Sequence, residues 1–160
     1  MFYKYNVLIF IVLLLSALTA QAQSVSELEN RYKNAKTKND KLSNAFQLAE
    51  KLLSGSPAKS AEYAVIANNL ATEIGDKRKE SDTAMISAEA TYRLKNYKDA
   101  AARFTKSWNT ARNYGFKETA LNASDKLQDI AMKQNDYKEA LKWSRETINY
   151  LRETDRKSVV

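Results

Sequence analysis

Apolar residues recur along this chain in short helical stripes. Val25, Leu28, Tyr32 and Ala35 fall three or four apart, and so do Leu42, Ala45, Phe46, Ala49 and Leu52. Such spacing puts each set on one face of an α-helix. Breakers divide the pattern at Gly55-Ser56-Pro57, Gly75-Asp76 and Gly115, the two later glycines each just past a helical stretch, where a left-handed C-terminal cap suits glycine. The pattern predicts an opening helix over 24–35. Three helical hairpins follow, at 39–53 with 58–74, 78–94 with 97–114, and 118–134 with 137–153.

The chain also repeats itself. "NYKDA" starts at Asn96 and "DYKEA" at Asp136; a shift of forty residues also pairs Gly75 with Gly115 and Ala71 with Ala111. A fixed period of that size marks stacked copies of one small unit. Ala100 and Ala140 each lie one turn after a tyrosine, Tyr97 and Tyr137, on the same helix face. A small side chain there lets paired helices approach closely while the ring fills the space beside the turn.

The N-terminus departs from this pattern. One cation, Lys4, precedes the apolar run Val7–Leu15, and Ala20-Gln21-Ala22 offers a small-x-small cleavage site. This is the order of a secretory signal peptide over 1–22, and the run is shorter than the ~20 residues a spanning helix needs. The expectation is an exported protein, periplasmic or extracellular after cleavage, with no stable membrane span. A signal retained as an anchor is the competing reading.

Composition narrows the chemistry. Of 26 basic residues only Lys4 falls in the leader, so 25 remain against 19 acidic, a net +6. The cations are scattered among acids, with no Arg-rich tract, so a solvated helix surface is expected and not a nucleic-acid interface. Cysteine and histidine are absent. That removes disulfides, the thiolate nucleophile, the usual base near neutral pH and the commonest zinc ligand. Asp125 and Asp129 lie one turn apart, but nothing in the sequence buries them as acid–base work requires. No catalytic residue, metal site or cofactor is expected. Asn122-Ala123-Ser124 matches a glycosylation sequon inside a predicted helix.

Tyr97-x-x-Ala100-x-x-x-Phe104, and Tyr137-x-x-Ala140 with Trp143, resemble the second helix of a tetratricopeptide repeat. The stretch from Lys59 to Arg78 is similar to the long second helix and Gly-Asp exit of that family's forty-residue variety. Lys95 and Asn135 stand where the family usually has glycine, and Thr91 and Ala131 where it has an aromatic. The first unit fits only with a turn two residues longer, which implies a distorted or splayed first hairpin.

The resemblance implies an all-α, right-handed α-solenoid: a capping helix over 23–37, repeats at 38–77, 78–117 and 118–157, and a tail at 158–160. It also implies a concave protein- or peptide-binding groove lined by the first helices. Carried over residue by residue, that groove presents Asp40, Ser43, Gln47, Glu50 and Lys51, then Asp82, Met85, Glu89, Tyr92 and Arg93. Asn122, Asp125, Asp129, Met132 and Lys133 complete it. Six acids against three bases point to a basic or polar extended segment, with Met85, Tyr92 and Met132 as apolar contacts. Such arrays behind a signal peptide also resemble sensory ectodomains of bacterial signalling receptors, the alternative to a scaffold or adaptor. Ile130, Leu141 and Ile148 are candidates for an uncovered C-terminal edge, through which self-association is one expectation.

Overall fold

The computed structural model describes residues 24–158. The signal-peptide reading falls on residues outside that range. Seven helices follow one another: α1 (24–34), α2 (Lys38–Leu52), α3 (Pro57–Ile74), α4 (Lys77–Arg93), α5 (Tyr97–Tyr114), α6 (Lys117–Lys133) and α7 (Tyr137–Ser158). No strand occurs among the described residues. Helix ends fall within a residue of the predicted ones, except that α7 runs on past Glu153 because its charged tail contains no breaker.

Each helix from α2 onward packs on the next, and in addition α2 touches α4 and α4 touches α6. The even-numbered helices therefore share one side and the odd-numbered helices the other, as expected of a helical repeat.

The turns show why the spacing is so regular. Gly75 and Gly115 hold φ at 82° and 74°, and Lys95 and Asn135 hold it at 61° and 58°. At all four the following N–H reaches back to a carbonyl five residues earlier: Asp76 to Ala71, Asn96 to Thr91, Phe116 to Ala111 and Asp136 to Ala131, at 2.8–3.2 Å. This is the Schellman closure of a helix end. Asp76, Asn96 and Asp136 then cap the next helix by accepting from Lys79, Asp99 and Glu139 N–H. The forty-residue repeat is thus two twenty-residue steps, each a helix, one left-handed residue and one cap. Phe116 breaks the series. It offers no side-chain cap; its ring stacks on Tyr114 and lies 5.1 Å below the Arg78 guanidinium.

Small residues set the packing distance. Ala45, Ala49, Ala64, Ala67, Ala71, Ala88, Ala100, Ala111, Ala120 and Ala123 are wholly buried, with Phe104 filling the middle of the second hairpin. The longer first turn does not splay the first hairpin. Ser60 Oγ donates to Ala49 O at 2.6 Å, holding α3 tightly on α2. Leu28 and Val25 of α1 pack on Leu48 and Leu52, while Tyr32 meets Tyr63 edge-on, so α1 covers the N-terminal end.

Two expectations are corrected. Ile130 is only 2% exposed, because α7 lies over it. Tyr137 does not fill a gap beside its turn. It is 63% exposed, whereas Tyr97 packs into the core against Tyr92 at 5.5 Å between ring centroids. The difference is positional. Tyr92 is pinned by the next hairpin, and no hairpin follows α7 among the described residues.

Candidate functional site

Three side-chain links join α4 to α6. Thr119 Oγ1 donates to Asp82 Oδ1 at 3.1 Å, Lys126 Nζ lies 3.0 Å from Glu89 Oε2, and the Tyr92 hydroxyl donates to Asp129 Oδ2. Each joins residues 37 apart in sequence. A constant offset means that the two helices run parallel in fixed register, so residues one or two turns apart on each form a continuous surface.

On that surface lies an open depression of about 350 Å³, lined by Leu53, Met85, Ile86, Glu89, Arg93, Asn122, Asp125 and Lys126. Five of these, Met85, Glu89, Arg93, Asn122 and Asp125, are expected from the sequence. Tyr92, Asp129 and Lys133 stand together beside it. Asp82 lies further along α4. Gln47 donates to Ser43 within α2, and Glu50 faces the Lys79 and Asp82 side of α4. Met132 is 51% exposed at the edge of α6. Met85 and Tyr92 are half-buried and pack on the core, so they floor the surface more than they project from it.

The sequence reading missed Leu53, Ile86 and Lys126. Leu53, expected as the last residue of the first hairpin's opening helix, caps α2 instead, so it was not counted among the groove positions. Lys126 lies one turn from both Asn122 and Asp129 on α6, so helical spacing already signals it, and the 37-residue offset from Glu89 is a second signal.

Charge is distributed differently from the residue count. Glu89 sits between Arg93 Nε and Lys126 Nζ, each at 3.0 Å. Lys133 Nζ reaches Asp129 Oδ1 at 2.6 Å, and Arg78 Nε reaches Asp82 Oδ2 at 3.1 Å. The hydrogen bonds from Lys133 and then Tyr92 hold the Asp129 carboxyl below its ordinary 3.8, and the same contact raises Lys133. Glu50 moves the other way. Loss of surrounding water raises it, Lys79 opposes this and Asp82 adds to it. Half of the six acids are therefore neutralised from within. Asp125 is exposed and meets no cation among the described residues.

A smaller cavity of about 140 Å³ lies on the other side, among Val65, Asn68, Ala84, Ser87, Arg103 and Lys106. It is below the several hundred Å³ of ordinary ligand sites, and the Arg103 guanidinium already donates to Ser87 there at 2.8 Å. A larger opening of about 510 Å³ lies between α5 and α7, among Arg112, Tyr114, Tyr150 and Glu153, where Arg112 already pairs with Glu153. The α4–α6 surface is therefore the better candidate on its mixture of exposed polar and apolar groups and not on size. Among the described residues no group of three or more Asp or Glu is close enough to hold a metal ion, and no helix is long and apolar enough to cross a membrane. Asn122 of the sequon is exposed, while Ser124 is fully buried and donates to Leu121 O.

The fold of the described residues defines the class: all-helical, with sequential helix packing in the manner of a helical repeat. Comparison with protein-family models gives no match, and no curated protein is similar in sequence.

Proposed function

We propose that this protein is an exported, non-catalytic scaffold of the tetratricopeptide-like kind, wound as a right-handed superhelix, that binds a polar or basic segment of another protein on its α2–α4–α6 side. The observation that carries the reading is the open α4–α6 depression. It combines a half-buried methionine floor with exposed Asn122 and Asp125, so it offers apolar area and an unneutralised carboxylate together. Two helices locked in register present these groups on a rigid surface, which lowers the ordering cost of binding. The leader pattern over 1–22 supports export.

The test uses mature protein and three labelled peptides of equal length, Lys/Gln-rich, Gln/Ser-rich and Glu-rich, read by fluorescence anisotropy. The Lys/Gln-rich peptide is expected to bind best and to lose about tenfold on Asp125→Lys, a change at an exposed position that leaves the fold intact. Preference for the Glu-rich peptide sinks the charge argument. Indifference of all three to Asp125→Lys and Asn122→Arg removes the site.

A further inference from the structure

The repeat lets each position on α7 be compared with its counterpart forty residues earlier on α5. Trp108 corresponds to Ile148, and Arg112 to Arg152. On α5 both are engaged by the next hairpin. Trp143 and Tyr150 cover Trp108 edge-on, with ring centroids 6.0 and 5.4 Å away. Arg112 reaches Glu146 at 3.5 Å and Glu153 at 3.3 Å, two carboxylates seven residues apart on α7.

On α7 the counterparts have no such cover among the described residues. Ile148 is 48% exposed and Leu141 52% exposed, and with Tyr137 they form one stripe along the helix. Lys138, Arg145 and Arg152, spaced by sevens, run along one flank, and among the described residues none meets a carboxylate. The face thus repeats the receiving surface of α5, with its apolar row and its cation both unmet.

We propose that the outer face of α7 is a docking surface for an amphipathic helix of another polypeptide, one that carries an aromatic row flanked by two carboxylates a heptad apart. Charge complementarity identifies the occupant, because that is the chemistry Arg112 and Trp108 receive one unit earlier. A second copy fits poorly. Its Glu146 and Glu153 are already held by Arg112, its N-terminal end is covered by α1, and two antiparallel α7 helices would align their cationic flanks. An anionic membrane surface would meet the cations, but three separated side chains without Trp or Phe make a narrow apolar face for insertion.

The probe is a labelled synthetic peptide of residues 117–158, which supplies Trp143, Tyr150, Glu146 and Glu153, added to the full mature chain. Saturable binding is expected, weakened about tenfold by Arg152→Glu in the chain. A peptide with Glu146→Lys and Glu153→Lys should recover affinity for that variant. Circular dichroism of Arg152→Glu should be unchanged, since the side chain is exposed. No binding overturns the proposal, as does binding insensitive to Arg152→Glu. An effect confined to Arg112→Glu means that the peptide displaces the chain's own α7, and this too overturns it. So does self-association by sedimentation, or preferential binding to phosphatidylglycerol vesicles, when either is lost with Leu141→Asp.

Discussion

Lys95 and Asn135 occupy the left-handed backbone region, where Cβ crowds the following carbonyl and glycine is free of that cost. Lys95→Gly is therefore expected to raise stability by about 0.5–1 kcal/mol in urea unfolding. Asn135→Gly should gain less, because asparagine tolerates this region. A loss at Lys95 would contradict the left-handed turn. Glu50 offers a pH test. Its folded-state value lies above the ordinary 4.5, so the folded protein ionises it less readily than the unfolded chain does. The resulting cost to stability is present above the folded value and disappears below the ordinary one. Glu50→Gln should stabilise at pH 7, by no more than about 0.5 kcal/mol at so exposed a position, and should have no effect below about pH 4.

Between elements, the α4–α6 register rests on a few polar links laid over a small-residue core. Tyr92→Phe removes the hydroxyl from Asp129 and keeps the ring, so it should cost about 1 kcal/mol at neutral pH. Asp129 then loses one of its two hydrogen-bond donors and its pKa should rise toward 3.8, while Lys133 continues to hold it down. A carboxylate with a depressed pKa stabilises the fold above its ordinary value and loses that contribution as pH falls through the folded one. The penalty of Tyr92→Phe should accordingly fade in acid. NMR titration of the Asp129 carboxyl checks both statements; an unmoved pKa would remove this link from the register.

For the molecule as a whole, the joint between hairpins is the vulnerable place, since each unit contacts mainly its neighbours. Trp108 is buried at the last joint, between Trp143 and Tyr150. Trp108→Ala should cost about 3–5 kcal/mol, and the loss should be local. Native-state hydrogen exchange should show α6 and α7 opening first while α2 to α5 keep their protection. Uniform loss across all the helices would mean that the array is one cooperative block.

Helices, turns and period were determined by the sequence alone, because they depend on local terms: three-to-four spacing, left-handed residues and caps. Lys95 and Asn135 were marked in the sequence only through the resemblance, as departures at a position where the family usually has glycine, and the backbone shows that they take the left-handed conformation glycine would have taken. The groove was legible only in part. Met85, Glu89, Arg93, Asn122 and Asp125 lie on helix faces that periodicity reveals, as does Lys126 one turn from Asn122, but the contact of Lys126 with Glu89 crosses two helices and no single helix encodes it. The pairing of Glu89, Asp129 and Asp82 with their cations is likewise tertiary, so a count of charges overstated the acidity of the surface. The exposure of Tyr137 and the burial of Ile130 were decided in the same way. Identical positions in a repeat have identical neighbours only where another unit stacks against them, and that is a property of the packed array.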